Sequence, residues 1–128
     1  LNYLYPDQVL YIHDQVVAVS GGSLGLRDRS ILESAVFRPQ SSFGGLDLYP
    51  DLFTKAAVLC HSLILNHPFV DANKRAAYET LRVFLQINGR DISAKDGDKF
   101  DMLLAVSEKK MTVDQIAAWL EAHTKPLR

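Results

Sequence analysis

The sequence predicts an all-α fold, a compact bundle of about six helices carrying one short flap loop or hairpin. Two observations lead there. Apolar residues recur at intervals of three and four along nearly the whole chain, the spacing that lines one face of a helix. The breaks between these runs carry helix-starting and helix-ending residues rather than the alternation of strands. One stretch fits no helix: in PQSSFGGLDLYP, residues 39 to 50, a glycine pair and two flanking prolines mark a loop or short hairpin.

Pro6 opens the first helix, Val9, Ile12, Val16 and Val17 share its inner face, and Gly21 and Gly22 end it. Asp28 or Ser30 caps the second, where Ser30 to Glu33 has the form of a capping box. Leu32, Ala35 and Val36 face inward and Pro39 stops that helix. The third, from about Leu52 to Asn66, is nearly all apolar and therefore central, with Asn66 as its left-handed cap. The fourth spans about Asn73 to Asn88, burying Ala77, Leu81, Phe84 and Leu85 before Gly89 stops it. A fifth surrounds Phe100, Leu103, Leu104 and Ser107. The sixth opens on a Thr112–Gln115 capping box and buries Val113, Ile116, Ala117 and Leu120.

Residues 1–128 read as a single domain, since no repeat, low-complexity segment or linker divides them. Such a chain buries about two-thirds of its unfolded surface and needs no disulfide or metal to fold. The balance of 14 Lys and Arg against 15 Asp and Glu, a net charge of −1, argues against a nucleic-acid partner, so no direct nucleic-acid binding is expected. Cys60 lies alone among apolar residues, as a buried thiol does in a reducing compartment. No apolar run approaches the roughly 20 residues of a membrane helix. With no signal-peptide pattern either, the expected location is the cytoplasm, without a membrane partner.

Chemistry concentrates in NHPFVDANKR, residues 66 to 75. His67 precedes a proline, which pushes it out of the helical region and places it on a rigid corner. Phe69 and Val70 would dip into the core and pin that corner. The fourth helix then opens with Lys74 and Arg75, cations set against the positive end of the helix dipole. An anion in front of the unpaired amides of the first turn removes that conflict. Asp71 repels a bare phosphate but suits a magnesium ion, which binds one or two carboxylates together with phosphate oxygens. An imidazole, ordinarily titrating near neutrality, can deprotonate an attacking hydroxyl. The set points to nucleotide-dependent phosphoryl or nucleotidyl transfer. Taken singly, Asp71 is equally an N-cap, Asn73 a turn residue, His67 a turn histidine, and Lys74 and Arg75 solvated charges.

The same stretch resembles the signature of the Fic superfamily, His-Pro-Phe-x-(Asp/Glu)-Gly-Asn-Gly-Arg-x-x-Arg, and more closely its death-on-curing (Doc) branch, the toxins of bacterial toxin–antitoxin pairs. GGSLGLRD, ILESAVFRPQSSFGG, DLYP, FLQINGRDI and TVDQIAAWLEAH follow the order of that branch, so the resemblance covers nearly the whole chain. It implies a Fic-type helical bundle with His67 as general base and Asp71 as the Mg²⁺ ligand. Asn73 and Arg75 would contact nucleotide phosphates, with the backbone of Ala72 to Lys74 as the anion cradle. Phe43, Gly44, Gly45, Leu46, Asp47 and Leu48 would form a flap that lays a target segment along the site by strand-like pairing. Ala72, Lys74 and Tyr78 stand where most members have glycine, glycine and arginine. That departure matches the Doc branch, which transfers the γ-phosphate of ATP, by family to elongation factor Tu. Adenylyl transfer and non-enzymatic binding are the alternatives.

No glutamate has Ser or Thr four residues before it, so the inhibitory pattern (Ser/Thr)-x-x-x-Glu is missing. Inhibition is expected from a cognate antitoxin whose C-terminal segment folds into an apolar groove. His13 and His123 read as surface or groove-edge residues, His61 as no zinc ligand, and Trp119 as core or groove lining.

Overall fold

The computed structural model describes residues 1–127. Among them six α-helices form the body: α1 (Pro6–Ser20), α2 (Arg29–Phe37), α3 (Leu52–Asn66), α4 (Asn73–Ile87), α5 (Asp96–Ser107) and α6 (Val113–Ala122). The nearly apolar α3 lies at the centre, packed against α2, α4, α5 and α6. Its Ala56 to Cys60 are fully buried, and burial pushes the Cys60 thiol up to about 12, which makes it packing rather than a nucleophile. On α4, Ala77, Leu81, Phe84 and Leu85 face inward as their spacing predicts. No helix is long and apolar enough to cross a membrane among the described residues.

The ends of the helices follow local chemistry, with one correction. Asp28 caps α2 by accepting from the amides of Ser30 and Ile31 at 3.0 and 3.2 Å. The Ser30–Glu33 capping box does not form, because the N-cap is Asp28, two residues earlier, and Glu33 pairs with Arg29 instead. On α6 both halves of the Thr112–Gln115 box are made, at 2.9 and 3.2 Å.

The flap is a hairpin of β1 (Ser42–Phe43) and β2 (Leu46–Asp47), paired antiparallel. Gly44 and Gly45 carry φ of 59° and 81°, a doubly left-handed turn that glycine supplies at least cost. A second small sheet has no counterpart in the sequence pattern: β3 (Arg90–Ile92) pairs antiparallel with β4 (Thr124–Pro126). Three-residue strands carry too little alternation to be read from sequence.

The sequence places α5 without assigning its inner face. Its core face is Met102 and Val106, whereas Phe100 is 62% exposed and Leu103 and Leu104 are half-buried. The apolar stripe predicted for this helix is real but lines a groove.

Candidate active site

The site is built on the turn between α3 and α4. His67 sits in the left-handed region at φ 48°, ψ 64°, so it, and not Asn66, ends α3. Asn66 stays helical because Arg27 satisfies the freed carbonyls: its Nε donates to His67 O at 2.6 Å and its Nη2 to Asn66 O at 2.8 Å. The backbone of residues 25 to 28 runs beside the turn, with Arg27 N and Asp28 N donating to Pro68 O and Val70 N to Gly25 O. The side chain of His67 is left exposed to solvent.

Phe69 anchors this corner from inside, 1% exposed. Val70 does not join it as predicted; it is 60% exposed and packs beneath Gly25, where a Cβ would stand 2.9 Å from its Cγ2. The larger correction is His13. It lies fully buried, stacks on Phe69 with centroids 3.9 Å apart, and its Nε2 donates to Asp71 O at 2.8 Å. Asn73 spends its carboxamide on the same corner, donating to Phe69 O and accepting from Phe69 N, both at 3.0 Å.

Ala72 occupies the N-cap position of α4, left-handed at φ 64°, ψ 27°, and no side chain caps the helix. The first intrahelical bond is Ala76 N to Ala72 O at 2.9 Å. The amides of Asn73, Lys74 and Arg75 therefore begin the helix without an intrahelical acceptor. Lys74 and Arg75 are exposed beside them.

Asp71 is not the N-cap of α4. Its Oδ2 accepts the Ser23 amide at 2.9 Å. That bond, then one from the Ala72 amide, with the charges of Arg75 and His13 adding, holds its carboxyl below the ordinary carboxylate range. Any stability from this tie is present above the ordinary aspartate range and lost only as pH falls through the lowered value. Asp71 is therefore anionic at neutral pH. Arg75 Nη1 donates to Ser20 Oγ and Gly21 O, each at 2.7 Å. Gly22 fits between the two: at φ 111°, an added Cβ would lie 2.7 Å from Asp71 Oδ2 and 2.9 Å from Arg75 Nη2.

The fold thus gathers His67, Asp71, Ala72, Asn73, Lys74 and Arg75 around one helix end. Phe43 to Leu48 form the separate, exposed hairpin. A groove of about 620 Å³ runs from Lys74 and Arg75 between α1, α4 and α5, its wall mostly apolar, with Ile12, Val16, Tyr78 and Leu103 among its lining. Among the described residues no cluster of three or more His, Cys, Asp or Glu can hold a metal by itself. The uncapped amides suit an anion, and Asp71 offers a single carboxylate that a cation brought with that anion can use.

Three site residues escaped the sequence reading. Arg27 and Gly22 carry no local signal, because their partners lie about forty to fifty residues away in the chain. His13 did carry one: with Val9 and Val17 it repeats every fourth residue on the buried face of α1.

A helical bundle whose central turn offers an exposed histidine beside an uncapped helix end defines a class. The chain belongs to the Fic/DOC family, whose model matches residues 3–85. It is 44% identical over 102 residues to Toxin Doc of Mycolicibacterium smegmatis, covering 78% of each chain. It is 25% identical over 118 residues to the protein kinase Doc of Escherichia phage P1, covering 91% of each.

Replacing His13 with alanine removes the Phe69 stack and leaves the Asp71 carbonyl unpaired in the interior. His13→Ala is expected to cost about 2–4 kcal/mol in urea unfolding. A loss below about 1 kcal/mol, the size of an ordinary solvent-exposed hydrogen bond, contradicts the anchoring role.

Proposed function

We propose that this protein is the toxin of a toxin–antitoxin pair and a phosphotransferase that moves the γ-phosphate of ATP to a protein hydroxyl. The observation that carries the reading is the uncapped amino end of α4 next to the exposed His67. Three free amides and the side chains of Lys74 and Arg75 hold phosphate charge there. The His67 imidazole takes the proton of the target hydroxyl as its oxygen bonds to phosphorus, ADP leaves, and the proton passes on to solvent. Asp71 would hold a Mg²⁺ ion, which supplies charge neutralisation when bound with the nucleotide. Asn73, engaged with Phe69, serves this cradle by fixing the turn from which it projects.

The flap residues Phe43 to Leu48 lay the target segment beside the site, and the family points to elongation factor Tu as that target. Lys74 and Tyr78, at the positions that hold glycine and arginine in adenylylating members, support phosphoryl over adenylyl transfer, as does the name of the phage relative. The antitoxin's C-terminal segment occupies the α1–α4–α5 groove, which reaches Lys74 and Arg75 and so brings an inhibitor to the edge of the phosphate site. The proposed setting is the cytoplasm.

Mass spectrometry of elongation factor Tu after incubation with the protein, Mg²⁺ and ATP tests the reaction. Addition of one phosphate is expected, with none from His67→Ala; addition of AMP contradicts the kinase reading. For the groove, Val16→Glu is expected to weaken antitoxin binding by at least about tenfold, since it places a charge against apolar surface. Unchanged affinity in a titration calorimeter places the antitoxin elsewhere.

A further inference from the structure

One lysine is sealed inside the molecule. Lys55, on the central helix α3, is 1% exposed and among the largest fully buried side chains. A buried ammonium is costly unless it is paired, and an apolar side chain of similar volume would ordinarily serve stability as well or better. What Lys55 touches is therefore informative. Its Nζ donates to Pro39 O at 2.9 Å and stands 3.5 Å from Asp47 Oδ2, with the Tyr3 ring centroid 5.7 Å away.

Pro39 and Asp47 bracket the flap. Pro39 is buried in the 3₁₀ turn, residues Arg38–Gln40, that leads into β1, and Asp47 lies on β2. The hairpin between them has strands of two residues, and its Phe43 and Leu46 are 80% and 75% exposed. Such a hairpin does not hold its own orientation in water. Lys55 ties its outgoing strand to its entry point through one cation. Two turns further along α3, Ser62 accepts from Arg38 Nη1 at 2.8 Å, and Arg38 Nε donates to Tyr49 OH at 3.3 Å, joining the residues just outside the flap.

We propose that Lys55 is the positioning residue of the flap: its buried ammonium, held between the Pro39 carbonyl and the Asp47 carboxylate, sets the angle at which the β1–β2 hairpin presents a target segment. This rests on the phosphotransferase reading for its consequence, though not for the tether itself. Lys55 touches neither nucleotide nor hydroxyl in this scheme. Its loss acts on target affinity and leaves the chemical step alone.

Lys55→Met keeps the buried stem and deletes the charge. In that variant the Leu48 amide, which donates to Ser41 O across the flap, is expected to exchange its hydrogen at least about tenfold faster, with α3 and α4 unchanged. The KM for the target protein should rise about tenfold, with kcat and ATP affinity held within about twofold. Asp47→Asn, a change at an exposed position that does not threaten the core, should move both readouts the same way, and adding it to Lys55→Met should bring no further loss. Flap exchange that stays at the wild-type rate overturns the proposal. So does a fall in kcat at constant KM, or effects of the two substitutions that simply add. If Lys55→Met does not fold, Asp47→Asn decides alone, an unchanged flap exchange again being the contrary result. A wild-type chain that modifies no protein removes the phosphotransferase reading, and the exchange comparison still decides whether the tether exists.

Discussion

The turn from α3 to α4 reverses the chain between two left-handed residues that are not glycine, His67 and Ala72. Each costs about 1–2 kcal/mol in backbone strain, and such strain persists only where the surroundings over-determine it. Here they do. Arg27 caps the carbonyls of α3, His13 holds the Asp71 carbonyl from the buried side, and Asn73 closes a ring of two hydrogen bonds on Phe69. The left-handed Ala72 has a direct consequence: α4 starts abruptly, with no side-chain oxygen over its first amides. An end that elsewhere would be capped by Asp, Ser or Thr keeps its first amides open.

Helix α1 supports this end from two directions. Its buried face supplies His13 beneath Asp71, and the chain leaving its C-terminus supplies Ser20 and Gly21 to Arg75 and Ser23 to Asp71. Its outer face lines the groove with Ile12 and Val16. The elements that hold the charged residues and the elements that would receive an inhibitor are thus the same helix. A partner seated in the groove has the scaffold of Asp71 and Arg75 as its wall.

Much of this was legible in the sequence, for a physical reason. Helical spacing, Gly and Pro punctuation and the Thr112–Gln115 box are local signals, and they place all six helices and the Gly44–Gly45 hairpin. The cluster from His67 to Arg75 is legible too, because its members are neighbours in the chain. The illegible parts are contacts without a local pattern: Arg27 on Asn66 and Gly22 between Asp71 and Arg75 join distant segments, and Lys55 reaches the flap from a different element. The stripe Phe100, Leu103 and Leu104 shows a subtler limit. Periodicity finds an apolar face but cannot say whether it meets a core or a groove. The buried His13 reads as a surface residue, and the left-handed cap falls one residue early at Asn66, when each residue's usual habit is read instead of its neighbours.

On the proposed function, the uncapped end of α4 receives the phosphates of a nucleotide. Following backbone amide resonances while Mg²⁺–ATP is titrated into the protein tests it most directly. The largest shifts are expected at the amides of Asn73, Lys74 and Arg75, with the His67 ring moving alongside. Saturating nucleotide that leaves those three amides in place, or moves a different part of the molecule more strongly, contradicts it.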